Sequence, residues 1–292
     1  LKLAVLSFLV ISVSGVIFLL GLFAYYSREI PEPGTLFTRD IPESTKIYDR
    51  TGETLLYEVS GEERRTLIAL DELPDHVSQS LIAIEDKTFY EHSGFNFRRL
   101  LTAVWENIIY RGQGSGASTL TSQLVKNALL TSDRRIKRKI KEMILTYHIE
   151  RKYTKDEILE SYLNEVPYGG NVYGVEAAAQ YYYEKSARDL TLEESAIFAA
   201  LINKPSRYSP YGSNIDQLME RKDLVLSEMA AQGFISEEEK TEAMEKEIVF
   251  RERVDNIIAP HFVFYVREQL EEMYGDESVK ENGLIVKTTL DI

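Results

Sequence analysis

The sequence predicts a mainly α fold of the α+β class: a small N-terminal β-hairpin ahead of a long helical stretch, on an apolar N-terminal transmembrane helix. Three observations carry this. From Asp75 to Gly275 apolar residues recur at helical spacing, and capping signatures stand at Thr154-Lys155-Asp156-Glu157, Thr191-Leu192-Glu193-Glu194 and Ser236-Glu237-Glu238-Glu239. The strand-like pattern is confined to residues 45–60 and 283–290. Leu3 to Tyr26 runs for 24 residues without a charge.

That first run spans about 36 Å as a helix, enough for a bilayer core of about 30 Å. It is longer than the apolar region of a cleavable signal and ends in Ala-Tyr-Tyr-Ser-Arg, where Tyr25 and Tyr26 suit a membrane interface. Residues 1–28 are therefore expected to anchor the chain, and the Pro-rich, polar residues 29–44 to link it to the main domain. The hairpin turns at Arg50-Thr51-Gly52. Pro74 suits the start of a helix over 75–84, with Val77, Leu81 and Ile84 at helical spacing. Phe97, Leu100, Leu101, Val104, Trp105, Ile108 and Ile109 then form a broad apolar face with Arg98, Arg99 and Arg111 at its ends. That pattern fits a helix lying in the bilayer interface as well as a buried one.

The glycine-rich stretch Arg111 to Thr119 leads into a helix whose buried stripe is expected at Leu120, Leu124, Ala128 and Leu129. A helix over 134–150 is expected to bury Ile136, Ile140, Met143, Ile144 and Tyr147. Gly233 and Gly275 fall where C-terminal caps belong. The β-like stretch 283–290 reads as the first strand of a further region.

A length of 292 residues suffices for one large domain or two small ones. The absence of cysteine excludes a disulfide framework and thiolate metal sites. A net charge of −13 argues against general nucleic-acid binding. The charge is uneven, however: between Lys126 and Lys155 ten Lys or Arg face three acids, a local +7 that leaves −20 elsewhere. Such an island suits a specific anionic partner or a solvated basic helix. The histidines at 76, 92, 148 and 261 form no metal-ligand spacing.

The residues most suggestive of chemistry are Glu85 and Asp86, adjacent acids at a predicted helix end. There they face the negative end of the helix dipole, which is poor for stability and useful for a proton acceptor. His92 follows in the same loop, where it could orient a carboxylate or serve the loop itself. The glycine-rich stretch is not a nucleotide loop, since no Gly-Lys-Ser/Thr follows it. On the helix after it, Thr119, Gln123, Lys126 and Asn127 share the side opposite the apolar stripe. On the next, Arg135, Arg138, Lys139 and Glu142 share a face. An Arg138/Glu142 pair would give the helix a few tenths of a kcal/mol; the same residues would hold a carboxylate beside cations able to receive phosphate oxygens.

Taken together these segments resemble the peptidoglycan glycosyltransferases of family 51, the domain of class A penicillin-binding proteins and monofunctional transglycosylases. Glu85-Asp86-x-x-Phe89-x-x-His92-x-Gly94 matches the first family motif. Gly116-Ala117-Ser118-Thr119-Leu120-Thr121-Ser122-Gln123 is similar to the second, with Ser122 replacing the usual glutamine. Arg138-Lys139-x-x-Glu142 matches the third and Lys155-x-x-Ile158-Leu159-Glu160-x-Tyr162-Leu163-Asn164 the fourth. Tyr168-Gly169-Gly170 through Lys185 resembles the fifth, with Tyr183-Glu184-Lys185 where the family usually has Phe-Gly-Lys. Order and spacing agree over about 45 to 215.

The resemblance implies a lysozyme-like glycosyltransferase domain over residues 45–250. It would polymerise lipid II on the outer face of the bacterial cytoplasmic membrane, with the growing glycan strand as donor and with inversion. It implies Glu85 as general base and Glu142 as the group assisting the departing pyrophosphate, directly or through a divalent cation (Mg or Mn). Lys126, Arg138 and Lys139 would stabilise the developing charge, Gln123, Asn127 and Thr119 would position sugars and phosphates, and Asp86, Phe89, His92 and Lys155 complete the set expected at the substrate. Inhibitors of the moenomycin type and cell-wall synthesis proteins are the further partners implied, and no nucleic acid. Residues 251–292 are similar to the linker leading into a transpeptidase domain, and without Ser-x-x-Lys no acyl-serine chemistry is expected of these residues. Two other readings stay open on the residues alone. A lysozyme or lytic transglycosylase would share a catalytic Glu but has no need of pyrophosphate-binding cations. A silent membrane scaffold would have no need of the acids.

Overall fold

The computed structural model describes residues 45–59, 64–96, 118–130, 135–169, 172–251, 258–275, 278–279 and 282–292, with isolated positions at 10, 13, 14, 21, 25, 26, 99 and 102. Most of the expected anchor 1–28, the linker 29–44, most of the 97–109 segment and the glycine-rich stretch up to residue 117 lie outside these. Among the described residues no helix is long and apolar enough to cross a membrane. The architecture is helix-rich with two small sheets. The chain divides into two compact units, residues 1–38 with 89–158 and residues 39–88 with 159–292.

The second unit begins with the predicted hairpin, β1 (Thr45–Tyr48) against β2 (Leu55–Val59). The strands are antiparallel, with Thr45 opposite Val59 and Ile47 opposite Tyr57. The turn is built around Asp49, whose carboxylate accepts from the Thr51 hydroxyl and the Gly52 and Thr54 amides. Its removal from water pushes this carboxyl up, but those hydrogen bonds outweigh that and hold it below its ordinary range.

In the C-terminal stretch a third strand, Ile285–Lys287, pairs parallel with β1, Ile47 opposite Val286. This places β1 in the middle of its sheet, between β2 and the C-terminal strand. Ile47, Leu56 and Val59 pack with Val263, Leu270 and Val279, and Leu284, Val286 and Leu290 lie against that cluster. Burial of these side chains is what recruits the strand: alternation marks a strand, but only the apolar cluster selects its neighbour. The helix supplying Val263 and Leu270 spans Pro260–Tyr274 and has a proline in its first turn.

The unit's helical core surrounds the helix Leu192–Asn203, in which Ser195 to Leu201 are at most 2% exposed. A helix buried on every side needs no amphipathic stripe. Its Ala196, Ala199 and Ala200 are small enough for close approach, and Ile197, Phe198 and Leu201 each contribute about 1.5–3 kcal/mol by burial. Helix α1 (Asp75–Glu85) and the helix Ile215–Ala231 both pack on it and on each other. Tyr182 donates to the Tyr168 carbonyl at 2.9 Å and lies near the Phe198 ring. Tyr183 stacks on Phe250 with centroids 5.5 Å apart.

The first unit contains α2 (Leu120–Ala128) packed on α3 (Arg135–Lys152). On α2 Leu120, Leu124 and Val125 are buried, whereas Ala128 and Leu129 are half-buried. On α3 the expected stripe is rotated: Met143 and Tyr147 are 47% and 41% exposed, while Glu142, Ile144, Leu145, Thr146 and Ile149 are buried. The inward phase carries Glu142 and Thr146 among its apolar residues, so counting apolar residues alone misplaces it. Tyr147 instead lies against Arg151, which donates to its hydroxyl at 2.9 Å. The unit boundary falls within α4 (Lys155–Glu165).

Candidate active site

In the second unit the two acids of the first motif end α1: Glu85 is its last residue and Asp86 its C-terminal cap. Asp86 is 1% exposed. One face of the helix Ile215–Ala231, with the residue after it, braces this helix end. Gln232 donates to the Ala83 carbonyl at 3.0 Å, which satisfies one of the acceptors a helix terminus leaves open. Glu228 binds Lys87 at 2.5 Å. Arg221 places its guanidinium 3.7 Å from the Glu85 carboxylate, with side chains only 18% and 12% exposed. From α4, fully buried Tyr162 has its hydroxyl held well above its ordinary range, chiefly by loss of water and next by the charge of Glu85. The Glu85 carboxylate thus has a permanent cation for one neighbour and a phenol that stays neutral for another.

In the first unit the loop after the acids is locked from within. Phe89 is fully buried, with Lys155 Nζ 4.4 Å from its ring centroid. Lys155 also pairs with Glu150 at 2.8 Å, and Glu150 accepts from the Thr121 hydroxyl. His92 accepts the Gly94 amide on Nδ1 at 3.1 Å and meets Phe89 edge-on. Gly94 has φ +88°, and a Cβ there would meet Glu150 and Thr146 side-chain carbons at 3.0 Å, so backbone conformation and space both require glycine. Thr119, 3% exposed, donates to the Gly94 carbonyl at 2.8 Å and caps α2 by accepting from the Ser122 amide. Ser122 returns the bond by accepting from the Thr119 amide at 3.0 Å, which gives this departure from the family pattern a capping task of its own.

Towards solvent, α2 presents Lys126 and Asn127, both exposed, and half-buried Gln123. On α3 Glu142 is 5% exposed, and its pair runs to Lys139 at 2.5 Å, a contact of the i,i+3 kind, with Lys139 54% exposed. Arg138 is half-buried on the preceding turn. The cations of α2 and α3 therefore reach solvent, whereas Phe89, Thr119 and Lys155 are built into the framework that holds the loop. Among the described residues no group of three or more His, Asp or Glu lies together as a metal site.

Arg221 and Glu150 were not singled out from the sequence. Arg221 and Lys222 sit between Leu218 and Val225 on the inward phase of an amphipathic helix. Cations at that phase require partners, a signal that was available. Lys222, 3% exposed, donates to the Met244 carbonyl.

The chemistry-bearing groups are thus a mostly buried acid at the end of α1 in the second unit and, in the first, a buried acid on α3 with solvent-reaching cations on α2 and α3. The family model described as Transglycosylase matches residues 52–230, and the chain belongs to that family. Among its curated relatives, penicillin-binding protein 1A of Rickettsia conorii is 39% identical over 91% of this chain and 34% of its own length. Penicillin-binding protein 1A of Aquifex aeolicus is 34% identical over 97% of this chain and 39% of its own, and that of Escherichia coli K12 is 37% identical over 92% and 32%. The chain thus spans about a third of the length of these relatives.

Proposed function

We propose that this chain polymerises lipid II into β-1,4 glycan on the outer face of the bacterial cytoplasmic membrane. The 4-hydroxyl of the incoming lipid II gives its proton to Glu85 as its oxygen attacks C1 of the growing strand. The bond from C1 to the polyprenyl pyrophosphate breaks, its electron pair leaves with the pyrophosphate, and the anomeric centre inverts. Lys126, Arg138 and Lys139 meet the negative charge that develops on the leaving group, and Glu142 sets the position of Lys139 through its ion pair. Gln123 and Asn127 line the substrate, while Asp86, Phe89, His92, Thr119 and Lys155 keep the loop in shape. A divalent ion, Mg or Mn, would when bound neutralise pyrophosphate charge; Glu142 is the residue that would share it, the pyrophosphate supplying other oxygens.

The carrying observation is Glu85: a mostly buried carboxylate at a helix end, 3.7 Å from a half-buried arginine, in a chain of the transglycosylase family. A lysozyme-like domain over 45–250 would place this chemistry beside the bilayer, tethered by residues 1–28 through 29–44, with 251–292 leading towards a transpeptidase region. Moenomycin-type inhibitors would compete at the pyrophosphate cations, and cell-wall synthesis proteins would be its partners. Incubation with purified lipid II tests the reading: glycan strands and free polyprenyl pyrophosphate are expected. Shortening of pre-formed glycan, with no polymer made, would replace it with a lytic activity.

A further inference from the structure

We propose that Tyr208 is the platform for the acceptor sugar, its ring stacking on the pyranose that presents the 4-hydroxyl to Glu85. This rests on the reading of Glu85 as the base and adds a residue that holds its substrate. Tyr208 follows the helix Leu192–Asn203, and the Arg221 guanidinium lies over its ring, 5.9 Å from the centroid. The same guanidinium stands 3.7 Å from the Glu85 carboxylate. One side chain thus joins the ring to the neighbourhood of the acid, all within the second unit. Tyr208 itself is half-buried, so part of its surface is open to solvent.

The segment that carries the ring is held more firmly than a connector requires. The Arg207 and Tyr208 amides both donate to the Lys204 carbonyl, at 2.9 and 3.0 Å. Arg207 donates twice to the side-chain oxygen of Gln217, at 3.0 and 2.8 Å, and Asn214 donates to the Arg207 carbonyl. A Cβ at Gly169 would lie 3.2 Å from the Pro205 carbonyl, so the segment also abuts the short strand Pro167–Gly169. A side chain fixed before its ligand arrives loses less on ordering, and loops held on a rigid scaffold are where binding residues concentrate. The choice of side chain fits a sugar. A pyranose has a face of C–H bonds and a rim of hydroxyls, and tyrosine offers a broad, stiff apolar surface at low entropic cost. Stacking sets the plane of the sugar and leaves its rim hydroxyls free to turn towards a carboxylate. A hydrogen-bonding side chain in the same place would compete for the hydroxyl that must react.

The test compares polymerisation of lipid II by wild type, Tyr208→Leu, Tyr208→Met, Tyr208→Phe and Glu85→Gln, with thermal unfolding measured in parallel. The two aliphatic variants should raise KM for lipid II about 10-fold and leave kcat within about three-fold of wild type. Tyr208→Phe, which keeps the ring, should recover most of that loss. A wild-type KM in either folded aliphatic variant overturns the proposal. So does a KM in Tyr208→Phe as high as in Tyr208→Leu, which would make the hydroxyl the contact in place of the ring. A fall in kcat at unchanged KM also overturns it, because the ring would then serve Arg221 and not a sugar. A second measurement stands even if both aliphatic variants unfold. With 13C-labelled tyrosine rings, the Tyr208 resonance, assigned by its loss in Tyr208→Phe, should shift when lipid II is added to Glu85→Gln; an unmoved resonance overturns the proposal. If Glu85→Gln still polymerises, the reading of Glu85 as base fails instead, and the KM series still decides on Tyr208.

Discussion

Glu85 and Glu142 are both acids shielded from water, yet they are held by opposite means. Glu85 sits at a helix end and takes its cation from a distant helix, Arg221, itself mostly buried. Glu142 sits mid-helix and takes its cation from one turn away, Lys139, which is half out in solvent. The first arrangement fixes an orientation, as a proton acceptor requires, since misplacement of about 1 Å costs two orders of magnitude. The second holds a charge that can be shared, because a solvent-facing lysine can turn towards an arriving phosphate.

Exchanging the acids for amides is the strongest way to break that contrast. Glu85→Gln keeps the shape and removes the proposed proton acceptor, so on that proposal polymer formation should fall by about 10²–10⁴ while lipid II still binds. Glu142→Gln should cost less, about 10²-fold, and should also weaken the pyrophosphate product as an inhibitor. Equal losses with unchanged product affinity would show that the two acids do not divide the work this way. Next in size, Arg138→Ala should weaken both polymerisation and binding of a moenomycin-type phosphoglycolipid by about 10-fold, the range of one charge-assisted hydrogen bond. Unchanged affinity for both would detach the basic island from the pyrophosphate.

Smaller effects belong to the scaffold of the second unit, at the two departures from the family's fifth motif. Glu184 caps the helix Val175–Tyr183 with φ +57°, a left-handed conformation where the family usually has glycine. Glu184→Gly should raise stability by about 1 kcal/mol, less whatever its exposed pair with Arg251 supplies. The Tyr183 hydroxyl is buried without a hydrogen-bond partner, so Tyr183→Phe should be neutral or stabilising by up to about 1 kcal/mol. Chemical denaturation reads both, and neither should alter kcat. Asp49 adds a pH signature. Its folded-state carboxyl is held below the ordinary range, so its contribution is present above about pH 4 and is lost as pH falls through the lower folded value. Asp49→Asn should accordingly flatten the acid side of the stability profile, and an unchanged slope would remove the turn carboxylate from that account.

Most of what local chemistry dictates was legible in the sequence. Alternation and Arg50-Thr51-Gly52 marked the hairpin, Pro74 marked the start of α1, and Thr154/Glu157 and Ser236/Glu239 formed their capping boxes. At Thr191 only half the box forms: Glu194 accepts the Thr191 amide, but the threonine hydroxyl is left without a partner. What escaped depends on tertiary choice. The inward phase of α3 includes Glu142 and Thr146, which no apolar count can reveal. The partner of Glu142 was expected at four residues and lies at three. The motif residues were visible, but that Thr119 and Phe89 serve the loop's interior follows only from their burial. Arg221 carries no motif weight alone and gains meaning once α1 and its bracing helix are packed together.

The parallel pairing of β1 with the strand Ile285–Lys287 has a consequence for the nascent chain. The hairpin is complete once residue 59 has emerged, but the outer edge of β1 waits for residues 285–287. At about 5–20 residues per second of synthesis, that edge stays open for roughly ten to fifty seconds. An open strand edge recruits other strands. A ribosome stalled before residue 285 would therefore carry a chain whose helices are mostly in place and whose sheet is adhesive, a form that a holdase should recognise and that a chain extended past residue 287 should not display.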